Sequence, residues 1–132
     1  MINFSKQATN ETPYVRLNEQ TGIMEICGRS VPQETEEFWS PVLSWFENYS
    51  NQPQPLTVIK MNLEYFNISS SKRILFLLYK LKEIQASGKE VLVEWTYNEN
   101  DRDMLEVGQD FAYMARVPFE FKTYKELDLA LA

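Results

Sequence analysis

Apolar residues recur along this chain in two ways. Alternating or continuous apolar runs mark strands, and three- and four-residue spacing marks helices. Residues 1–11 show neither pattern and predict a flexible N-terminus, leaving residues 12–132 as the domain. Thr12 to Leu17 and Ile23 to Cys27 read as strands around the polar turn Asn18-Glu19-Gln20-Thr21-Gly22, which predicts an antiparallel hairpin. Gly28 to Pro32 then breaks the pattern. From Glu34 to Tyr49, residues Phe38, Val42, Trp45, Phe46 and Tyr49 make one face of a first helix. Glu34, Glu36 and Glu37 crowd its positive end, and Pro41 predicts an irregular first turn or a kink.

Leu56 to Leu63 is apolar at both parities, as is Glu90 to Tyr97, so both are expected to be strands covered on both faces. Between them runs an amphipathic helix, Ile74 to Ala86, with Ile74, Leu75, Leu77, Leu78, Leu81 and Ile84 inward and Ser87-Gly88 at its end. Asn100 or Asp101 caps a third helix to about Ala115, with Met104, Val107, Phe111 and Met114 on its inner face. Phe119 to Phe121 is a short edge strand, and Lys125 to Leu131 a weak final helix. Strands separated by helices pair in parallel through right-handed crossovers. The expected fold is therefore a single α/β domain: a mixed, mostly parallel central sheet with an N-terminal antiparallel hairpin and helices packed on it.

Functional sites in such sheets lie off the carboxyl ends of the strands. One such end is Leu63 to Arg73, which reads as a strand ending, a short turn and a helix beginning. Asn67 and the serines Ser69, Ser70 and Ser71 stand at the join. These residue types satisfy the free N–H groups of a first helical turn. That helix end is also positively polarised, so an anion is stabilised there and a serine exposed at it can accept a phosphate. Plain capping is the commoner role for such serines. The Tyr97 to Asp103 turn follows the next strand and should lie beside this one.

Composition narrows the chemistry. The chain has 132 residues, one cysteine, no histidine and a net charge of −6. Without histidine the commonest general base and the commonest metal ligand are missing. Cys27 sits in an apolar, strand-like context and reads as a buried small hydrophobe. Asp101, Asp103 and Glu106 suggest a metal or acid/base site less well than they suggest a cap and a solvated first turn. No catalytic residue, metal or cofactor is expected. The acidic charge argues against nucleic acid, and no segment is long and apolar enough for membrane insertion, which leaves a cytoplasmic, protein-binding domain. Trp45 and Trp95 read as core. Trp39, Tyr65 and Phe66, close to the strand–helix turn, are candidates for a docking patch.

Several separated motifs occur in the order of one family. They are Gly28-Arg29-Ser30-Val31-Pro32, Pro41-Val42-Leu43-Ser44-Trp45 with Tyr49, and Leu63-Glu64-Tyr65-Phe66-Asn67-Ile68-Ser69-Ser70-Ser71-Lys72. Glu94-Trp95-Thr96-Tyr97, Asp101-Arg102-Asp103-Met104 and Pro118-Phe119 complete the set. Over Thr12 to Tyr124 the chain resembles the SiaC family of bacterial regulatory phosphoproteins, formerly a domain of unknown function. The resemblance implies a STAS-like fold, similar to anti-sigma-factor antagonists, and a role as a non-enzymatic partner-switching protein in cyclic di-GMP signalling and biofilm regulation. It implies three partners: a Ser/Thr protein kinase, a PP2C-type phosphatase, and a diguanylate cyclase bound by the unphosphorylated form. The family's phosphoacceptor is the threonine of an Asn-Thr-Ser-Ser motif. That position is Ile68 here, which has no hydroxyl. Ser69 is then the expected acceptor and Ser70 the next, with Tyr65, Phe66, Asn67, Ile68, Ser69, Ser70 and Lys72 forming the partner surface. The alternative is an adaptor that binds constitutively because Ile68 removes the switch.

Overall fold

A computed structural model describes residues 3–125 of the chain. Its elements run β1 (Phe4–Lys6), β2 (Tyr14–Asn18), β3 (Ile23–Ser30), α1 (Thr35–Tyr49), β4 (Leu56–Phe66), α2 (Ile68–Ala86), β5 (Glu90–Asn98), α3 (Arg102–Ala115) and β6 (Phe119–Tyr124). The strands form one sheet in sequence order. β1, β2 and β3 are antiparallel neighbours, and β3 through β6 are parallel. The mixed sheet with its N-terminal hairpin is thus as the pattern predicts. β1 is an addition: the segment expected to be loose pairs Phe4 with Leu17 and Lys6 with Val15. Three residues carry no readable period, so only the neighbouring strand reveals it. Residues 126–131, most of the expected final helix, lie outside the described residues.

Strand order decides the layers. Right-handed crossovers that always advance one strand in the same direction put every helix on one face of the sheet. Two rows of side chains confirm it. Val15, Ile26, Met61 and Trp95 stand in register, as do Leu17, Met24, Ile59 and Val93, and all are buried. Against them pack Trp39, Val42 and Phe46 of α1, Ile74, Leu77, Leu78 and Leu81 of α2, and Met104 and Phe111 of α3. The opposite face stays open to solvent. Arg16, Glu25, Lys60, Glu94 and Glu120 align across it, and Lys122 pairs with Glu94 at 2.8 Å.

The expectation that β4 and β5 are covered on both faces is therefore corrected. Leu56 is exposed on the open face, and Val58 and Leu92 are only half-buried. Cys27 also points to that face and is exposed, not buried. Its parity is opposite to that of Met24 and Ile26. Burial still pushes its thiol pKa up, with the Glu25 charge adding to the effect.

α1 spans Thr35–Tyr49 with Pro41 inside it. The helices otherwise follow their local signals with two exceptions. Met114 is exposed, and Gly108 takes the inner position instead. A Cβ on Gly108 would come within 2.5 Å of Trp95 Nε1, so the glycine is the space that the indole occupies. Trp95 Nε1 donates to the Met104 carbonyl at 3.0 Å, fixing α3 to β5. α2 starts earlier than expected, at Ile68, which takes the serines out of the turn and into the first helical turn.

Candidate functional site

The carboxyl ends of β3 and β4 meet the first turns of α1 and α2, and one irregularity sets the geometry there. Gly28 pairs with Leu63 but Arg29 pairs with Tyr65, so Glu64 is an extra residue in β4. Gly28 has φ 123°, a conformation open to glycine. β3 thus runs on through Gly28 to Ser30 opposite a bulge in β4, and the Gly28 to Pro32 motif spans its last residues and the turn beyond. A one-residue slip exchanges the faces of all later side chains. Tyr65 turns outward and is 54% exposed. Phe66 turns inward, stacking on Phe111 and standing edge-on to Trp95. Of the three expected patch aromatics, then, only Tyr65 offers an exposed ring. Trp39, the third, is fully buried core.

Asn67 is the whole junction. Its N–H donates to the Ser30 carbonyl at 3.0 Å, continuing the β3–β4 ladder. Its side chain caps α2, with Oδ1 accepting from Ser70 N at 2.8 Å. Such a cap is worth about 0.5–2 kcal/mol. Ile68 follows as the first helical residue, points into solvent and is 80% exposed. An isoleucine so exposed is not part of the core.

The three serines have different environments. Ser69 is half-buried; its Oγ donates to Asn67 Oδ1 at 3.2 Å and lies 2.8 Å from Thr35 Oγ1 at the start of α1. Ser70 is 0% exposed, and its Oγ lies 2.8 Å from Ser30 Oγ, which also accepts from Trp39 Nε1 at 3.2 Å. Ser70 is thus a buried member of a hydroxyl pair and, unlike Ser69, has no surface of its own in this structure. Ser71 Oγ donates to the Ile68 carbonyl at 2.6 Å. Lys72 is exposed, and Arg73, one turn beyond Ser69, pairs with Glu36 of α1.

The structure therefore gathers Tyr65, Asn67, Ile68, Ser69 and Lys72 at one surface. Thr35, Arg73 and Glu36 stand beside it, and Ser30 and Trp39 lie buried beneath it. Ser30 lies in a recognisable motif, but nothing local signals that Thr35 faces Ser69. α3, which follows the Tyr97 to Asp103 turn, packs on this end of the sheet through Phe111 on Phe66, and the turn itself makes no such contact among those described. No hydrogen bond or ion pair among the described residues joins it to the serines. Asp101 Oδ1 accepts from Met104 N at 3.0 Å, the capping role.

Residues 6–124 match the SiaC family of regulatory phosphoproteins. An uncharacterised protein of Pseudomonas aeruginosa (strain UCBPP-PA14) is 26% identical over 118 residues, covering 89% of this chain and 94% of its own. The crystal structure of apo-SiaC from Pseudomonas aeruginosa superposes with a TM-score of 0.85 at 26% identity, over 92% of this chain and 99% of that one. SiaC also appears in a crystal structure of the diguanylate cyclase SiaD in complex with its activator SiaC, from the same organism. That SiaC chain is 25% identical with a TM-score of 0.87, again covering 92% and 99%.

Proposed function

From the premise that this chain belongs to the SiaC family, we propose that it is a non-enzymatic signalling protein that binds and activates a diguanylate cyclase and is switched by phosphorylation of Ser69. One observation carries the reading. A bare apolar side chain, Ile68, stands at a helix start beside exposed Tyr65 and a half-buried hydroxyl, Ser69. An exposed isoleucine and tyrosine favour burial by a partner. A phosphate of about −1.5 to −2 charges in their midst opposes it. The helix N-terminus and Lys72 stabilise that phosphate in the free protein. Covering it with a partner surface shaped for Ile68 takes that charge out of water against an apolar surface, which is costly. Binding is then lost without refolding. A Ser/Thr kinase and a PP2C-type phosphatase are the implied partners. The site of action is the cytoplasm, in keeping with the described helices, none of which is long and apolar enough to cross a membrane.

A second reading has its own support. Ile68 lacks a hydroxyl, and the Ser69 hydroxyl is engaged on both sides, by Asn67 and Thr35. On that reading the protein binds its cyclase constitutively. Intact mass after co-expression with the kinase separates the two. Labelling of wild type that disappears in Ser69→Ala supports the switch, and Ser69→Asp should then weaken cyclase binding. No labelling of wild type, with strong labelling of Ile68→Thr, selects the constitutive adaptor.

A further inference from the structure

The two edges of the sheet differ. β1 is three residues long and ends on Lys6, the short, charged kind of edge that resists further pairing. β6, Phe119–Tyr124, is six residues long and has no strand beyond it among the described residues. Its even-numbered residues turn their backbone toward β5: the Pro118 and Tyr124 carbonyls accept from Val93 N at 2.9 Å and Glu99 N at 3.0 Å. Backbone direction alternates along a strand, so the N–H and C=O groups of Phe119, Phe121 and Thr123 face outward. We propose that this edge pairs with β6 of a second copy of the chain, antiparallel about a two-fold axis at Phe121, joining two sheets into one. The Ile68 junction lies at the end of β4, with β5 between, so the proposal goes beyond the cyclase reading and does not rest on it.

Charge selects the register. Outward-facing backbone groups must meet one another, so odd-numbered residues pair with odd-numbered ones. An axis at Glu120 or Lys122 meets that condition but sets glutamate against glutamate or lysine against lysine, and like charges directly opposite are destabilising. An axis at Phe121 sets Glu120 opposite Lys122 of the second copy, and symmetry makes the same pair again. Phe121 then faces Phe121, and Phe119 faces Thr123, each pair exchanging both backbone hydrogen bonds. An axis nearer either end of β6 shortens the overlap. Glu120 is open to a new cation, since Lys122 of its own chain stands 3.6 Å away and bonds Glu94 at 2.8 Å.

Packing gives the same answer. On the helix side of the sheet a row of rings, Trp95, Phe119 and Phe121, runs outward from the core with centroids 6.1 and 5.7 Å apart. It stops at Phe121, which is 36% exposed. Two-fold pairing continues the row into Phe121 and Phe119 of the second copy and takes the edge rings out of water. A strand from another protein would have to present an aromatic residue between an acid and a base in this same order, which a second copy does by identity. The shared surface is one strand wide, so the association belongs to the weak, concentration-dependent class.

Analytical ultracentrifugation of the full chain tests this. The mass of wild type should rise from one chain toward two as its concentration enters the high micromolar range. Glu120→Lys and Lys122→Glu each set like charges at both cross-strand pairs, so each alone should associate roughly fivefold or more weakly, with a melting temperature near that of wild type. An equimolar mixture of the two should recover the dimer, because one variant then offers two lysines and the other two carboxylates. The double variant Glu120→Lys/Lys122→Glu should pair with itself as wild type does, even if one single variant folds poorly. Glu25→Lys, the same change of charge on the open face, should leave association unchanged. A wild type that stays monomeric at every concentration would overturn the proposal and leave the edge to a strand of another protein. Single variants that associate like wild type, a mixture that recovers no dimer, or a Glu25→Lys variant as weak as Glu120→Lys would overturn it as well.

Discussion

Ser70→Asp tests whether the hydroxyl pair beneath the junction is closed to charge. Ser70 has no exposed surface, and its nearest side-chain partner is the Ser30 hydroxyl at 2.8 Å. A carboxylate there would find one hydroxyl donor and would crowd Asn67 Oδ1, which caps Ser70 N. An acid in a first helical turn ordinarily stabilises by about 0.3–1 kcal/mol. A buried charge left unpaired costs about 3–5 kcal/mol. Burial wins, with a net loss of about 2–5 kcal/mol against a total stability of roughly 5–15 kcal/mol. For a domain of this size the melting temperature should fall by roughly 6–20 °C. Ser69→Asp, half-buried at the surface, should stay within a few degrees of wild type. Calorimetry and urea titration at neutral pH read both. Burial raises the pKa of the new carboxyl in the folded state above its unfolded value. The deficit is thus full above the folded pKa and shrinks as pH falls toward the unfolded value of about 3.9. A Ser70→Asp protein that melts within about 2 °C of wild type, with no pH dependence, would refute the reasoning.

Leu78→Ala removes a fully buried side chain from α2 and should cost about 2–5 kcal/mol in a urea titration. Gly108→Ala places a Cβ against the Trp95 indole and should cost about 1–3 kcal/mol, with a shift in tryptophan emission as the ring moves. Unchanged emission and stability would mean that α3 can lift away freely. Cys27 should be alkylated by iodoacetamide in the native protein because it is exposed. Its rate at neutral pH should fall below that of a free thiol and rise only at higher pH, because burial and Glu25 raise its pKa. Glu25→Gln should move that profile to lower pH, and an unmoved profile would remove the carboxylate from the explanation.

Local physics made much of the molecule legible. Helix faces such as Ile74, Leu77, Leu78 and Leu81 follow from a period of about 3.6, and the hairpin from a short polar turn between apolar runs. Asn67 and Asp101 are caps that local chemistry announces. Other features depended on which strand lies beside which. Apolar residues at both parities imply two covered faces, yet the one-directional strand order leaves one face bare, with Leu56 and Cys27 on it. The bulge at Glu64 sends Tyr65 outward and Phe66 inward, and only the register with β3 reveals it. Ser69, Ser70 and Ser71 look alike in the chain. Thr35 and Ser30, from segments more than thirty residues away, make one a surface hydroxyl and another a buried one. Burial and hydrogen-bond partners belong to pairs of distant segments, and no single stretch of sequence encodes the second member of the pair.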